Sequence, residues 1–299
     1  MQRRFSTLDV FTATRFAGNP LAVVRDGEGL DTATMQAIAR EFNLPETVFM
    51  LPAGDPAHAA RLRIFTPGGE LPFAGHPTVG TAVLLGLDSG APRSLVLGEK
   101  IGPVHCTVEE LGADRGRARF ELPRLPQHIG EAGEASVVAE ALGLTLDDLG
   151  CDHFELGRWS AGVEFAMIPV RGLDAIARSR CNLALWEEAF GATGPRAVYL
   201  YCRETQDAGH AFHARMFAPH LGIAEDPATG SAAAAFAGVL ARYGGLGDGE
   251  HAFAIEQGYE MGRPSVIRLT VTLADGALTT AAIGGDAVLV SNGTLAVRF

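Results

Sequence analysis

One motif occurs twice in this chain, and it limits the folds the chain can take. FAGHPTVGTAVLL from Phe73 and AEDPATGSAAAAF from Ala224 align so that His76-Pro77-Thr78-Val79-Gly80-Thr81-Ala82 lies over Asp226-Pro227-Ala228-Thr229-Gly230-Ser231-Ala232. Upstream, Arg63-Ile64-Phe65-Thr66-Pro67 matches Arg215-Met216-Phe217-Ala218-Pro219. Two copies in the same order, half a chain apart, are too few and too widely spaced for a solenoid of ~20–50-residue repeats. They predict two similar lobes, which suits 299 residues, a length beyond the usual ~100–200 of one domain.

Local patterns fill in those lobes. STLDVFTATRFAGNPLAVV reads as strand, turn and strand around Gly18-Asn19-Pro20. Asp31 is placed to cap a helix whose apolar residues Met35, Ile38, Ala39 and Phe42 fall on one face, with Asn43 and Pro45 ending it. ETVFMLP and ARLRIFTP read as strands, and TVGTAVLLGL as a buried helix. The second half runs similarly, through strands GVEFAMIPV, AVYLYCR and FHARMFAP to an alanine-rich helix from Pro227. Near the end, Asp275-Gly276 and Asn292-Gly293 stand between β-rich runs and predict two hairpins. Residues 123–135 are rich in proline and glycine and poor in large apolar side chains, so they read as a linker dividing lobes 1–123 and 124–299.

The repeat also marks where chemistry is expected. Pro77 and Pro227 suit a first helical position, because proline lacks an N–H that is unpaired there anyway. Beyond them, free backbone N–H groups and the positive dipole end make each helix start suited to an anion. Gly75, Gly80, Gly230, Ser231 and Ala232 allow close approach to the backbone. A pseudo-twofold arrangement would clamp a small anionic substrate between two such starts. His76 and Asp226 occupy equivalent positions; both can handle protons, although His76 is equally suited to packing in its loop and Asp226 to capping a helix. Glu46 precedes the apolar run TVFML, where a carboxyl can have a raised pKa suited to proton transfer or can simply face solvent.

Other function classes lose their signatures. A net charge of −11 with scattered Lys and Arg opposes nucleic acid, and no run reaches the ~18 apolar residues of a membrane helix. HExxH, Cys/His ligand spacing, GxGxxG, GxxxxGK[ST] and GxSxG are all missing, so no metal and no nucleotide cofactor is expected. His153, His210, His213 and His251 read as surface or core histidines. In MQRRFSTLDVF, Ser6, Thr7 and Asp9 interrupt any apolar export segment, and four well-separated cysteines predict free thiols in a cytoplasmic protein.

Together DVFTATRFAGNPLAVV, NLPETVFML, FTPGGELPFAGHPTVGTAVLL, MFAPHLGIAEDPATGSAAAAFAGVL and EQGYEMGRPS resemble the PhzF-like isomerases of phenazine biosynthesis, within the diaminopimelate-epimerase fold. The motifs fall in order from Asp9 to Ser265. The resemblance implies an α+β fold of two pseudo-symmetric lobes, each a β-barrel-like mixed sheet around a central helix, with the active site between them and a homodimeric assembly. It implies cofactor-independent proton and double-bond movement on a small carboxylate-bearing substrate. Glu46 takes the role of proton shuttle; His76, Asp226 and Ser231 orient the substrate, Gly75 and Gly230 supply backbone contacts, and Asn19 and Gln257 line the cleft. Pro45 stands where the family pattern has a small polar residue. Epimerases of this fold use two cysteines at the helix starts, and this chain has Ala74 and Asp226 there, which argues against two-thiol racemisation. The alternatives are a non-catalytic binding or interaction module and an epimerase or racemase.

Overall fold

A computed structural model describes residues 2–90, 93–191 and 197–297. The chain divides into two compact units, Met1–Glu121 with Gly284–Phe299, and Leu122–Ile283. Each follows the same strand grammar.

In the first unit, β1 (Gln2–Val10) pairs antiparallel with β2 (Asn19–Val24). Helix α1 (Thr32–Phe42) then carries the chain across to β3 (Glu46–Leu51), which runs parallel to β2, as a helical crossover permits. The ends of α1 follow from sequence: the Asp31 carboxylate accepts the Thr34 N–H, Met35 and Ala39 are buried, and Asn43 closes the helix in the left-handed region at φ 50°. β4 (Ala60–Phe65) returns antiparallel, and the short β5 (Glu70–Leu71) leads into α2 (Gly75–Ser89). After it come β6 (Arg93–Glu99), parallel to β4, then β7 (Gly102–Gly112) and β8 (Arg115–Glu121) in antiparallel succession.

The second unit opens with β9 (Gln127–Gly130), α3 (Ala135–Ala141), β10 (Gly157–Ser160) and β11 (Glu164–Pro169). Short helices α4 (Leu173–Arg178) and α5 (Trp186–Phe190) cross to β12 (Val198–Cys202), parallel to β11. β13 (Phe212–Ala218), β14 (Ile223–Asp226), α6 (Gly230–Tyr243), β15 (Gly249–Gln257) and β16 (Ser265–Ala274) follow, with β13–β14 antiparallel and β13–β15 parallel. The order antiparallel, parallel, antiparallel, short strand, helix, parallel, antiparallel from β1 to β7 therefore recurs from β10 to β16. The duplication read in the motifs is a duplication of topology.

β17 (Ala277–Ala296) links the two units along the chain, because its residues from Gly284 onward belong to the first. There it pairs with β1, Gln2 opposite Ala296, and with β8. The ring β1–β2–β3–β4–β6–β7–β8–β17 is a closed eight-strand barrel. Helix α2 packs against its strands. A helix apolar on every side belongs in an interior, and Val79, Ala82, Val83 and Leu84 are all buried. Gly80 lets the wall close on it: a Cβ there would lie 2.6 Å from Leu21 Cδ2 and 2.8 Å from Val10 Cγ2. In the second unit α6, equally buried, packs on β10, β11 and β16. A separate core of Val138, Ile176, Trp186 and Phe190 covers β11 and β12.

Three expectations need correction. The C-terminal strand belongs with the first unit rather than with lobe 124–299, because β1 requires it as a ladder partner. The proposed linker 123–135 contains β9, which pairs with β10. Asn292-Gly293 is no hairpin: both residues lie within β17, Asn292 Oδ1 accepts the Ser6 hydroxyl at 2.6 Å, and a Cβ on Gly293 would meet the Phe5 ring at 2.6 Å. That glycine serves close contact, not a turn. Asp275-Gly276 is the turn expected, with φ of 53° and 72°.

Candidate active site

In the first unit the expected residues gather where β2, β3 and α2 begin. Asn19 is the first residue of β2 and fully buried, Glu46 the first of β3, and Gly75 and His76 the first two of α2. The parallel register sets Leu21 beside Glu46, so two strand starts lie side by side. His76 Nε2 lies 3.3 Å from Glu46 Oε2, with side-chain exposures of 5% and 16%.

The protonation of His76 follows from its surroundings. Burial drives its pKa down to about 3, and its ring hydrogen-bonds the Pro20 carbonyl. Nε2 is buried and makes no hydrogen bond, so the donor to Pro20 is Nδ1. The imidazole is neutral near pH 7, its hydrogen is on Nδ1, and the Nε2 lone pair faces Glu46. Two lone pairs at that distance do not bond. A proton arriving on Glu46 would complete the contact.

Around them α2 begins without a side-chain cap of its own: its N-cap is Ala74, and its first turn has no acidic residue. Pro77 is the third helical residue, not the first; Gly75 and His76 supply the N–H groups of the first turn, whose positive dipole end is suited to an anion.

The second unit's helix start differs in detail. Asp226 ends β14 and is buried, while Pro227 lies in the following loop and Thr229 is the N-cap of α6. Asp226 is therefore not the cap, nor Pro227 a first helical residue. The loop is held by one amide: Gln257 Nε2 donates to the Asp226 carbonyl at 2.7 Å and to Thr229 Oγ1 at 3.0 Å, and Gln257 Oε1 accepts the Thr229 N–H at 3.1 Å. The Thr229 hydroxyl donates to Asp226 Oδ2 at 2.6 Å. Gln257, fully buried, has both ends of its amide committed to this loop; it positions Asp226 instead of presenting itself to a ligand. Gly230 and Ser231 are the first two residues of α6, Gly230 buried and Ser231 half-buried. Gly258, at φ 79°, has Pro227 O only 2.5 Å from where a Cβ would stand, so the residue after Gln257 must be small for the loop to seat.

A charged network that the sequence reading missed supports this second start. His213, fully buried on β13, places Nδ1 2.9 Å from Glu256 Oε2 and Nε2 3.0 Å from Glu260 Oε1. Both nitrogens face carboxylates, and together these raise the His213 pKa against the opposing effect of burial. Glu256 Oε1 also meets His210 Nδ1 at 2.8 Å and accepts the Asp207 N–H at 2.7 Å. Glu256 and Glu260 lie in EQGYEMG and His213 in AGHAFHA. Reading His210 and His213 as surface or core histidines gave no sign of which carboxylates they would meet.

The four cysteines lie outside the two repeated motifs. Cys106, Cys151, Cys181 and Cys202 form no disulfide. Burial pushes the thiols of Cys106 and Cys202 up to about 12 and that of Cys181 to about 11, and it raises that of Cys151. They are poor thiolates.

The family model described as phenazine biosynthesis-like protein matches residues 8–293. An uncharacterized isomerase of Mesorhizobium japonicum is 48% identical over 298 residues, 98% of each chain. A trans-2,3-dihydro-3-hydroxyanthranilate isomerase of Pseudomonas fluorescens is 33% identical over 288 residues, 96% of this chain and 97% of that one. Among solved structures, a Bacillus anthracis phenazine biosynthesis protein of the PhzF family superposes with a TM-score of 0.88 at 27% identity, over 99% of this chain and 100% of the other. The chain belongs to the phenazine biosynthesis-like, PhzF-type family and is an isomerase.

Proposed function

We propose that this isomerase moves a proton, and with it a double bond, on a small carboxylate-bearing substrate without a cofactor, with Glu46 as the shuttle. The observation that carries the reading is the 3.3 Å approach of Glu46 Oε2 to a neutral, Nδ1-protonated His76. Glu46 as carboxylate removes a proton from a substrate carbon, and the C–H electron pair becomes part of a shifted double bond. The resulting Glu46 hydroxyl donates a hydrogen bond to His76 Nε2. An imidazole with its pKa driven to about 3 accepts that bond but does not take the proton, so the proton stays on Glu46 for return to a second carbon. Atoms balance, and the enzyme ends as it began.

The helix starts supply the rest of the reading. The first-turn N–H groups of α2 suit a substrate carboxylate, and Asp226, held by Gln257 and Thr229, suits an amine or hydroxyl. Gly230 and Ser231 offer donors at the start of α6. Cysteine-based racemisation is disfavoured by the elevated thiol pKa values. Within the same reading the protein works as a homodimer in the cytoplasm.

The relatives named for trans-2,3-dihydro-3-hydroxyanthranilate make that amino-substituted carboxylate the first compound to test. It should be incubated with the protein beside a panel of small amino and hydroxy carboxylates and followed by proton NMR. The reading expects one member of the panel to give an isomer of unchanged mass without added metal or nucleotide. Saturable binding with no product from any binder would favour a non-catalytic module instead.

A further inference from the structure

Beneath the first turn of α2 lies a carboxyl group that the reaction does not use. The Thr78 Oγ1 lies 2.8 Å from the Ala74 carbonyl and 2.7 Å from Glu99 Oε1. A hydroxyl has one hydrogen and can donate it once. When that hydrogen goes to Ala74, the contact with Glu99 is a hydrogen bond only if Glu99 brings a proton of its own. The second oxygen, Glu99 Oε2, is buried with no hydrogen-bond partner, and a carboxylate charge spread onto it would be unsolvated. The groups that face Glu99 give it no counter-charge: from α2 the Thr78 hydroxyl, and from β7 the Cys106 thiol, itself pushed up to about 12 and neutral. Burial correspondingly pushes Glu99 up to about 8.

We propose that Glu99 is a positioning residue, a neutral acid that donates to Thr78, fixes the first turn of α2, and leaves the positive end of that helix free for a substrate anion. The inference rests on the reading above, in which the start of α2 receives a carboxylate. An ionised Glu99 hydrogen-bonded to the first turn would do what acidic residues do at helix N-termini and compensate the dipole. Within the first turn itself there is no Asp or Glu, and its cap is Ala74.

The test is an amide titration by NMR from about pH 6 to about pH 10, on the wild type and on Glu99→Gln, whose amide donates to Thr78 at every pH and never charges. In the wild type the amide signals of Gly75, His76 and Thr78 should shift together through one alkaline transition. In Glu99→Gln they should match the wild type at neutral pH and stay flat. Wild-type signals without a transition, or the same transition in both proteins, would overturn the proposal. Anthranilate serves as a second probe: its affinity for the wild type should fall about three- to tenfold across the transition, the scale of a charge at a helix terminus, and stay constant in the variant. Equal falls in both proteins would also overturn it. No anthranilate binding at either pH would count against the carboxylate reading of the site, while the amide titration still decides the role of Glu99.

Discussion

A histidine buried away from solvent resists a second proton, and His76, whose hydrogen bond to the Pro20 carbonyl only partly opposes that effect, shows what the resistance costs in acid. Its pKa is about 3 in the folded protein and ordinary, about 6.5, in the unfolded chain. As pH falls below that ordinary value the unfolded chain takes up a proton that the folded one refuses, so this residue lowers stability by about 1.4 kcal/mol per pH unit down to its folded pKa. His213 runs the other way: with a raised pKa, its contribution is complete below the ordinary histidine value and is lost as pH rises through the raised one. Urea unfolding at about pH 7 and about pH 5 should show a shallower acid loss in His76→Asn than in the wild type. Equal losses would mean that His76 is not the buried neutral group described here. At this scale placement was legible, because Glu46 and His76 sit in motifs that mark a strand start and a helix start, and Asp226 in one that leads into another helix. Glu99 was not: a glutamate in GEK at a strand end looks solvated until the fold buries it.

At the scale of elements, α1 was readable from end to end, since its cap, its apolar face and its stop are all local signals. The two core helices were readable in kind but not in their first residues. A proline three residues before α6 and a proline third in α2 look alike in sequence, and only the loop contacts of Gln257 separate them. Asn292-Gly293 misled for a similar reason, because the pressure on that glycine comes from Phe5, nearly the whole chain away. Gly80 gives a direct test of how tightly α2 is held. Gly80→Ala would improve helix propensity, yet its Cβ would press on Leu21 and Val10, so overpacking should win and the protein should lose about 1–3 kcal/mol. A lower urea midpoint is expected; an unchanged or higher one would show that the barrel wall yields.

For the whole molecule, the repeated motif predicted two similar units, and the repeated pairing order carries that likeness through most of the strands. The single cut at 123/124 missed the return of the C-terminal strand, because strand pairing between the two chain ends is nonlocal and leaves no mark at the linker. The same duplication carries unlike chemistry at its two starts: a neutral imidazole over a carboxyl at one, an aspartate held by an amide at the other. That asymmetry suits an isomerase that takes and returns a proton with one base better than it suits two equivalent bases.

Glu46 is the residue proposed as that base. The most direct measurement is deuterium uptake from heavy water into substrate and product, followed by NMR for the wild type and for Glu46→Gln. The variant should keep its fold and still bind the compound, while deuterium incorporation and isomer formation both fall by at least about a hundredfold, the lower range for loss of a general acid–base. Uptake in Glu46→Gln at the wild-type rate would rule out Glu46 as the base and assign that role to another group in the chain.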